Sequence, residues 1–190
     1  MSLKKDIHRL ADIFAEMVKN YSSMGDGWKN LSLVKDAFAL MQSLPDTLPG
    51  EYETPAEKGA LLCQMLYHVD ETQAARFCIK VREEIARLSP DDTCNQTALT
   101  MLKDYIDESI PMEDFCKKHN RLLKFDPVER SAEYEAVIPE VEKAVAKALK
   151  GHVRGMGFCF AYWAAKRAEL ANRGLEWNSP SCWNPGVMFD

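Results

Sequence analysis

Apolar residues recur at helical spacing along almost the whole chain, and no segment sustains the two-residue alternation of β-branched residues that a half-buried strand requires. Ile7, Leu10, Ala11, Phe14, Met17, Val18 and Tyr21 follow an i, i+3, i+4, i+7 template that leaves His8, Asp12 and Glu16 on another face. A second stripe, Leu31, Val34, Phe38 and Met41, stops near Pro45. Pro49, Gly50 and Thr54 make residues 45–55 the clearest internal loop. Thr54, Pro55 and Glu57 then form a capping-box pattern: a side-chain acceptor, a proline at the first helical position and a glutamate three residues after the cap.

The third helix carries Leu61, Leu62, Met65, Leu66 and Val69. A fourth, capped by Asp70, carries Ala74, Cys78, Val81, Ile85 and Leu88 and closes at Ser89 and Pro90, so the two predict an antiparallel hairpin. A fifth uses Leu99, Leu102 and Ile106, and a sixth begins at Pro111 and is expected to bury Met112, Phe115, Cys116, His119, Leu122 and Leu123. The seventh starts between Pro127 and Pro139 and runs to about Lys150, and the eighth covers Phe158 to Ala171 before Gly174. No unit repeats at the 34-residue period of tetratricopeptide arrays. The expected fold is all-α: an irregular bundle of seven to eight helices forming one domain over residues 1–174, with an extended tail over 175–190 packed on the bundle or on a partner.

With 190 residues, 46% of them apolar, the chain can bury a core without disulfides or metals. The opening residues hold no apolar stretch of the secretory type, and the longest run free of charged and strongly polar residues, 155–165, is eleven residues against the roughly 18 a membrane span needs. A cytoplasmic location and no membrane partner are expected. Six cysteines without a CxxC pattern read as reduced core residues, and neither a structural metal nor a cofactor is expected.

A net charge of −5 argues against general nucleic-acid affinity, but the charge is unevenly placed. Between Lys143 and Leu175 stand Lys143, Lys147, Lys150, Arg154, Lys166, Arg167 and Arg173 against Glu169 alone, a local net of +6, so the rest of the chain carries −11. Seven of the eighteen aromatics also fall within residues 151–190. A basic, aromatic C-terminal region on an acidic body suits an acidic ligand or partner.

Within that region Gly151, Gly155 and Gly157 each disfavour helix by about 1 kcal/mol relative to alanine, so a break is expected there. A helix opening near Gly157, with Arg154 beside it, would present free N–H groups to a small anion. The same glycines equally suit a close approach of two helices, or one long helix whose seam of Ile138, Val141, Val145, Ala148, His152 and Cys159 runs through them. Cys159, in the first turn after the break, is a candidate thiolate with His152 as its base. Trp163, Lys166 and Arg167 stand at the i, i+3, i+4 spacing of a cation–π stack that either binds a ligand or packs against the tail. The candidate ligand-binding set is therefore Arg154, Gly155, Gly157, Trp163, Lys166 and Arg167, and no catalytic residue is assigned. Other combinations fit ordinary roles better: Glu113, Cys116 and His119 share a helix whose apolar stripe absorbs two of them, Asp12 and Glu16 are one turn apart on a solvated face, and Cys63 and His68 point to different sides.

The ending Gly155-Met156-Gly157-Phe158-Cys159, then Tyr162-Trp163, Trp177, Ser179-Pro180, Asn184-Pro185 and Phe189-Asp190 resembles the C-termini of small uncharacterised bacterial proteins, over about a fifth of the chain. That resemblance implies a bacterial cytoplasmic setting and assigns no functional residue. From the residues, the expected function is a non-enzymatic interaction or self-association module using the basic aromatic C-terminal region, in contact with a protein partner or another copy. The alternative is a small enzyme or ligand receptor with an anion site at residues 151–157 and a Cys159 thiol.

Overall fold

The computed structural model describes residues 3–23 and 25–189; Asp190, the last residue of the expected tail, lies outside them. Nine α-helices are formed among the described residues: α1 (Leu3–Ser22), α2 (Asn30–Ser43), α3 (Pro55–Tyr67), α4 (Ala75–Leu88), α5 (Thr93–Ile106), α6 (Met112–Lys118), α7 (Ala132–Ala148), α8 (Phe158–Ala171) and the single turn α9 (Pro180–Trp183). Short 3-10 turns precede α2, α4 and α7. The fold is all-α; the extended pairing present is one isolated bridge, Leu48 with Tyr52, inside the 45–55 loop. No helix among the described residues is long and apolar enough to cross a membrane.

The helices group into two compact units, residues 1–103 and 104–190. In the first, α1 packs on α2 and α3 packs on α4. Thr54 caps α3 through the expected box: its hydroxyl accepts from the Glu57 amide at 3.2 Å while the Glu57 carboxylate reaches back to the Thr54 amide. Leu88 and Ser89 at the end of α4 lie beside Gly59 near the start of α3, which makes the pair antiparallel. The expected stripes on α2 and α4 are buried at Leu31, Val34, Phe38 and Met41, and at Cys78, Val81, Ile85 and Leu88.

Two helices depart from the sequence expectation. On α1 the buried face is Ile13, Met17 and Asn20, whereas Val18 and Tyr21 are exposed. Asn20 is buried because its amide donates to Asn30 Oδ1, while the Asn30 amide donates to the carbonyls of Met17 and His68, so a polar side chain displaces an apolar one from the core face. In the second unit α6 stops at Lys118. Asn120 adopts φ +50, the Arg121 amide bonds the Cys116 carbonyl at 2.8 Å and the Asn120 amide bonds Lys117, a Schellman closure with asparagine in the left-handed position. Leu122 and Leu123 consequently lie on the surface instead of in the core.

The rest of the second unit is built on a hairpin of α7 and α8. Ser131 caps α7 by accepting from the Tyr134 amide, and Gly174 closes α8 with φ +79 and a bond from the Leu175 amide to Leu170. Arg130, buried under α6, donates to the carbonyls of Asp104, Tyr105, Asp107 and Ile110 and so satisfies the C-terminal end of α5.

Candidate functional site

The glycine segment interrupts the helix. Gly151 and Gly157 take φ of +85 and +81, a left-handed conformation that costs a residue with a Cβ about 1–2 kcal/mol, and residues 151–157 link α7 to α8 without helical bonding. A Cβ at Gly151, Gly155 or Gly157 would meet nothing within 4 Å, so close helix approach is not the reason for these glycines; backbone sign is the reason at Gly151 and Gly157. The uninterrupted-helix arrangement is excluded by the same dihedrals.

At this tip Arg154 lies over the Phe158 ring, its guanidinium carbon 4.8 Å from the ring centroid. The α8 N-terminus has no side-chain cap, but the Phe158 amide is bonded to Gly155 O and the Phe160 amide to Gly157 O, so two of the N–H groups an anion would use are already engaged. His152 is exposed and makes no side-chain hydrogen bond to Cys159 among the described residues.

Trp163, Lys166 and Arg167 do not form one stack. Lys166 turns inward: its side chain is 7% exposed and its ammonium lies 3.1 Å from Glu142, itself 7% exposed, with the Tyr162 hydroxyl donating to the same carboxylate oxygen at 2.6 Å. The rings of Tyr134, Trp177 and Tyr162 surround the ammonium at 5.4–5.6 Å from their centroids. Lys166 is thus a buried cation paired with Glu142. The sequence held a sign of this, since Tyr162, Lys166 and Leu170 share one face of α8 and Leu170 is fully buried. Arg167 faces α9, with Nη2 3.9 Å from Cys182 Sγ. The Ser179 hydroxyl lies 3.5 Å from the same sulfur, and that hydrogen bond, with Arg167, holds this thiol below its ordinary pKa.

Trp163 instead joins an aromatic ladder, edge-on to Phe160 at 5.5 Å and to Phe189 at 5.2 Å. The ladder connects the hairpin tip to the end of the chain. Large apolar side chains of the break, the start of α8 and the tail end are exposed: Met188 is 93% exposed, Met156 91%, Val153 90% and Phe160 52%. Beside them stand Lys147, Lys150 and Arg154, none with a carboxylate partner among the described residues; Lys143 and Arg173, by contrast, pair with Glu140 and Glu169. The seven cations of the sequence therefore reduce to three unpaired ones at the tip, with Arg167 turned to the tail.

The tail is tied down by a network the sequence did not reveal. Trp177 is buried and its indole donates to Glu129 Oε1 at 2.8 Å. Asp126 Oδ2 accepts from the Asn178 amide at 2.7 Å, from the Asn178 side chain and from the Trp183 indole, while its Oδ1 takes the Val128 amide. The Asn184 side chain accepts from the Lys124 amide and donates to the Lys124 and Pro180 carbonyls. Pro180 opens the α9 turn from the first helical position, where a missing N–H costs nothing, so proline starts a helix here instead of excluding one. Burial pushes the Glu129 carboxyl above its ordinary range, opposed by the Trp177 hydrogen bond and by Lys166.

Elsewhere, His119 and Lys118 both reach Asp104 Oδ2 at 2.6 Å. Burial acts to raise the Asp104 carboxyl, but these two donors outweigh it and hold it low. All six cysteines are free thiols, and no group of three His, Cys, Asp or Glu side chains among the described residues is placed to hold a metal ion. No family model, curated protein or solved structure matches the chain.

Proposed function

We propose that this chain is a non-enzymatic protein-binding module whose contact surface is the tip of the α7–α8 hairpin together with the end of the tail. The supporting observation is the exposure of Val153, Met156, Phe160 and Met188 on the segments that the Phe160–Trp163–Phe189 ladder joins. Isolated exposed apolar residues are common, but several within one break, helix start and tail end, with edge-on rings and unpaired cations on the same segments, have the composition of an interface. Full burial of each such side chain against a partner contributes about 1.5–3 kcal/mol before the costs of association. Methionine at two of the four positions gives that surface an adaptable shape.

The tail's part in this differs from that of a free docking arm. Trp177, Asn178, Trp183 and Asn184 are used up in holding residues 175–184 on the second unit, and only the end, Val187 to Phe189, adds to the surface. A photo-crosslinking amino acid placed at Met156 or Met188 in the producing cell tests the proposal. Discrete adducts at these two positions, lost when Phe160 is also changed to Ser, are expected. Adducts of equal yield at exposed Tyr67 in the first unit, or none at the tip, would contradict it.

A further inference from the structure

We infer that the partner at this surface is an acidic polypeptide segment carrying apolar side chains, and not a second copy of this chain. The inference rests on the binding-surface reading above and adds the chemistry of the occupant. Lys147 lies in the last turn of α7 and Lys150 in the turn that follows it, Arg154 follows in the break, and none of the three meets a carboxylate among the described residues. Val153 and Met156, 90% and 91% exposed, flank Arg154 along the chain in the same break. The tip thus offers apolar contact and positive charge within a few residues, and its complement alternates carboxylates with apolar side chains.

A second copy fits poorly. The common symmetric dimer joins a patch to itself, which would bring Lys147, Lys150 and Arg154 of both copies together with no anion to separate them. A lipid surface fits poorly too. Three cations fall short of the about four to eight that mark anionic-lipid clusters. An extended anionic bilayer would also face the remainder of a chain whose net charge is −5, whereas a short segment meets the tip alone within the roughly 8 Å over which charges act at physiological salt.

The test uses the full chain and a short fluorescein-labelled synthetic peptide in which glutamates alternate with leucine and phenylalanine, read by anisotropy. Two analogues replace every Glu by Gln or by Lys. The expected result is binding of the Glu peptide, binding at least about tenfold weaker for the Gln analogue, and weakening with added salt. Charge reversal in the chain, K147E/K150E/R154E, should cost the Glu peptide about tenfold or more and create binding of the Lys analogue; these exposed changes leave the core untouched, which far-UV circular dichroism verifies. Equal binding of Glu and Gln peptides would overturn the charge inference while leaving a binding surface at the tip. Concentration-dependent dimerisation of the chain alone that M156S abolishes, or binding to phosphatidylserine-containing vesicles with no peptide binding, would overturn the choice of occupant. If peptides, vesicles and a second copy all fail to engage the tip, both this inference and the proposed function fall.

Discussion

Replacing Lys166 by methionine removes the ammonium from the aromatic enclosure of the second unit while keeping the length of the side chain. Glu142 would then keep one neutral donor, the Tyr162 hydroxyl at 2.6 Å, for a carboxylate that is 7% exposed. Breaking a buried pair from one side costs about 3–5 kcal/mol, because a charge is left without its counter-charge. The loss of the ring contacts to Tyr134, Trp177 and Tyr162 acts in the same direction, partly offset by the thioether against those rings. Lys166→Met should therefore lower stability by about 3–5 kcal/mol. The pair E142L/K166M removes both charges, sacrifices one acceptor for Tyr162 worth about 1 kcal/mol, and should lie within about 2 kcal/mol of the parent. Urea titration followed by tryptophan emission reads both variants, since Trp177 is one of the enclosing rings. A single variant within about 1 kcal/mol of the parent, or a double variant that loses the sum of the two single losses, would show that Lys166 and Glu142 do not act as a coupled buried pair.

Three other perturbations probe the same unit. Asp126→Ala removes the acceptor shared by Val128, Asn178 and Trp183, and should cost about 2–4 kcal/mol and open residues 175–184 to limited proteolysis; unchanged cleavage would show that the tail is held by other means. Gly157→Ala and Gly151→Ala should each cost about 1–2 kcal/mol through their positive φ although space is open around them, while Gly155→Ala should stay within about 0.5 kcal/mol, so equal melting shifts for all three would be contrary evidence. Glu129 has a raised pKa, so its contribution is fully present below the unfolded carboxylate range and is lost as pH rises through the folded value. Glu129→Gln keeps an oxygen for the Trp177 indole and should gain stability relative to the parent as pH rises from about 4 to about 8; a pH-independent difference would contradict the burial argument.

The helices themselves were legible because burial is periodic. Leu31, Val34, Phe38 and Met41 on α2 face the core as their spacing requires, and Thr54, Pro55 and Glu57 announced their helix through local hydrogen-bond chemistry alone. What escaped was whatever depends on partners distant in sequence. The burial of Asn20 depends on Asn30, ten residues away, and that of Lys166 on Glu142, on another helix. The end of α6 escaped for a local reason: asparagine at position 120 takes the left-handed conformation that glycine more often signals. Of the candidate site, the break at Gly151 and Gly157 was readable because glycine is costly in a helix. The pairing of Lys166 with Glu142 and the turning of Arg167 to Cys182 were not, nor was the docking of the tail through Asp126 and Asn184, since each is a tertiary pairing of polar groups with no period of its own.

The proposed meeting of partners with this chain at the hairpin tip and the tail end can be read from the methyl resonances of its nine methionines. With the methionine methyls labelled, addition of the Glu-containing peptide should shift Met156 and Met188, which are exposed at the surface, and leave the buried Met17, Met41 and Met65 in place. Shifts confined to the methionines of the first unit, with Met156 and Met188 unmoved at saturating peptide, would place the binding surface elsewhere and contradict the account.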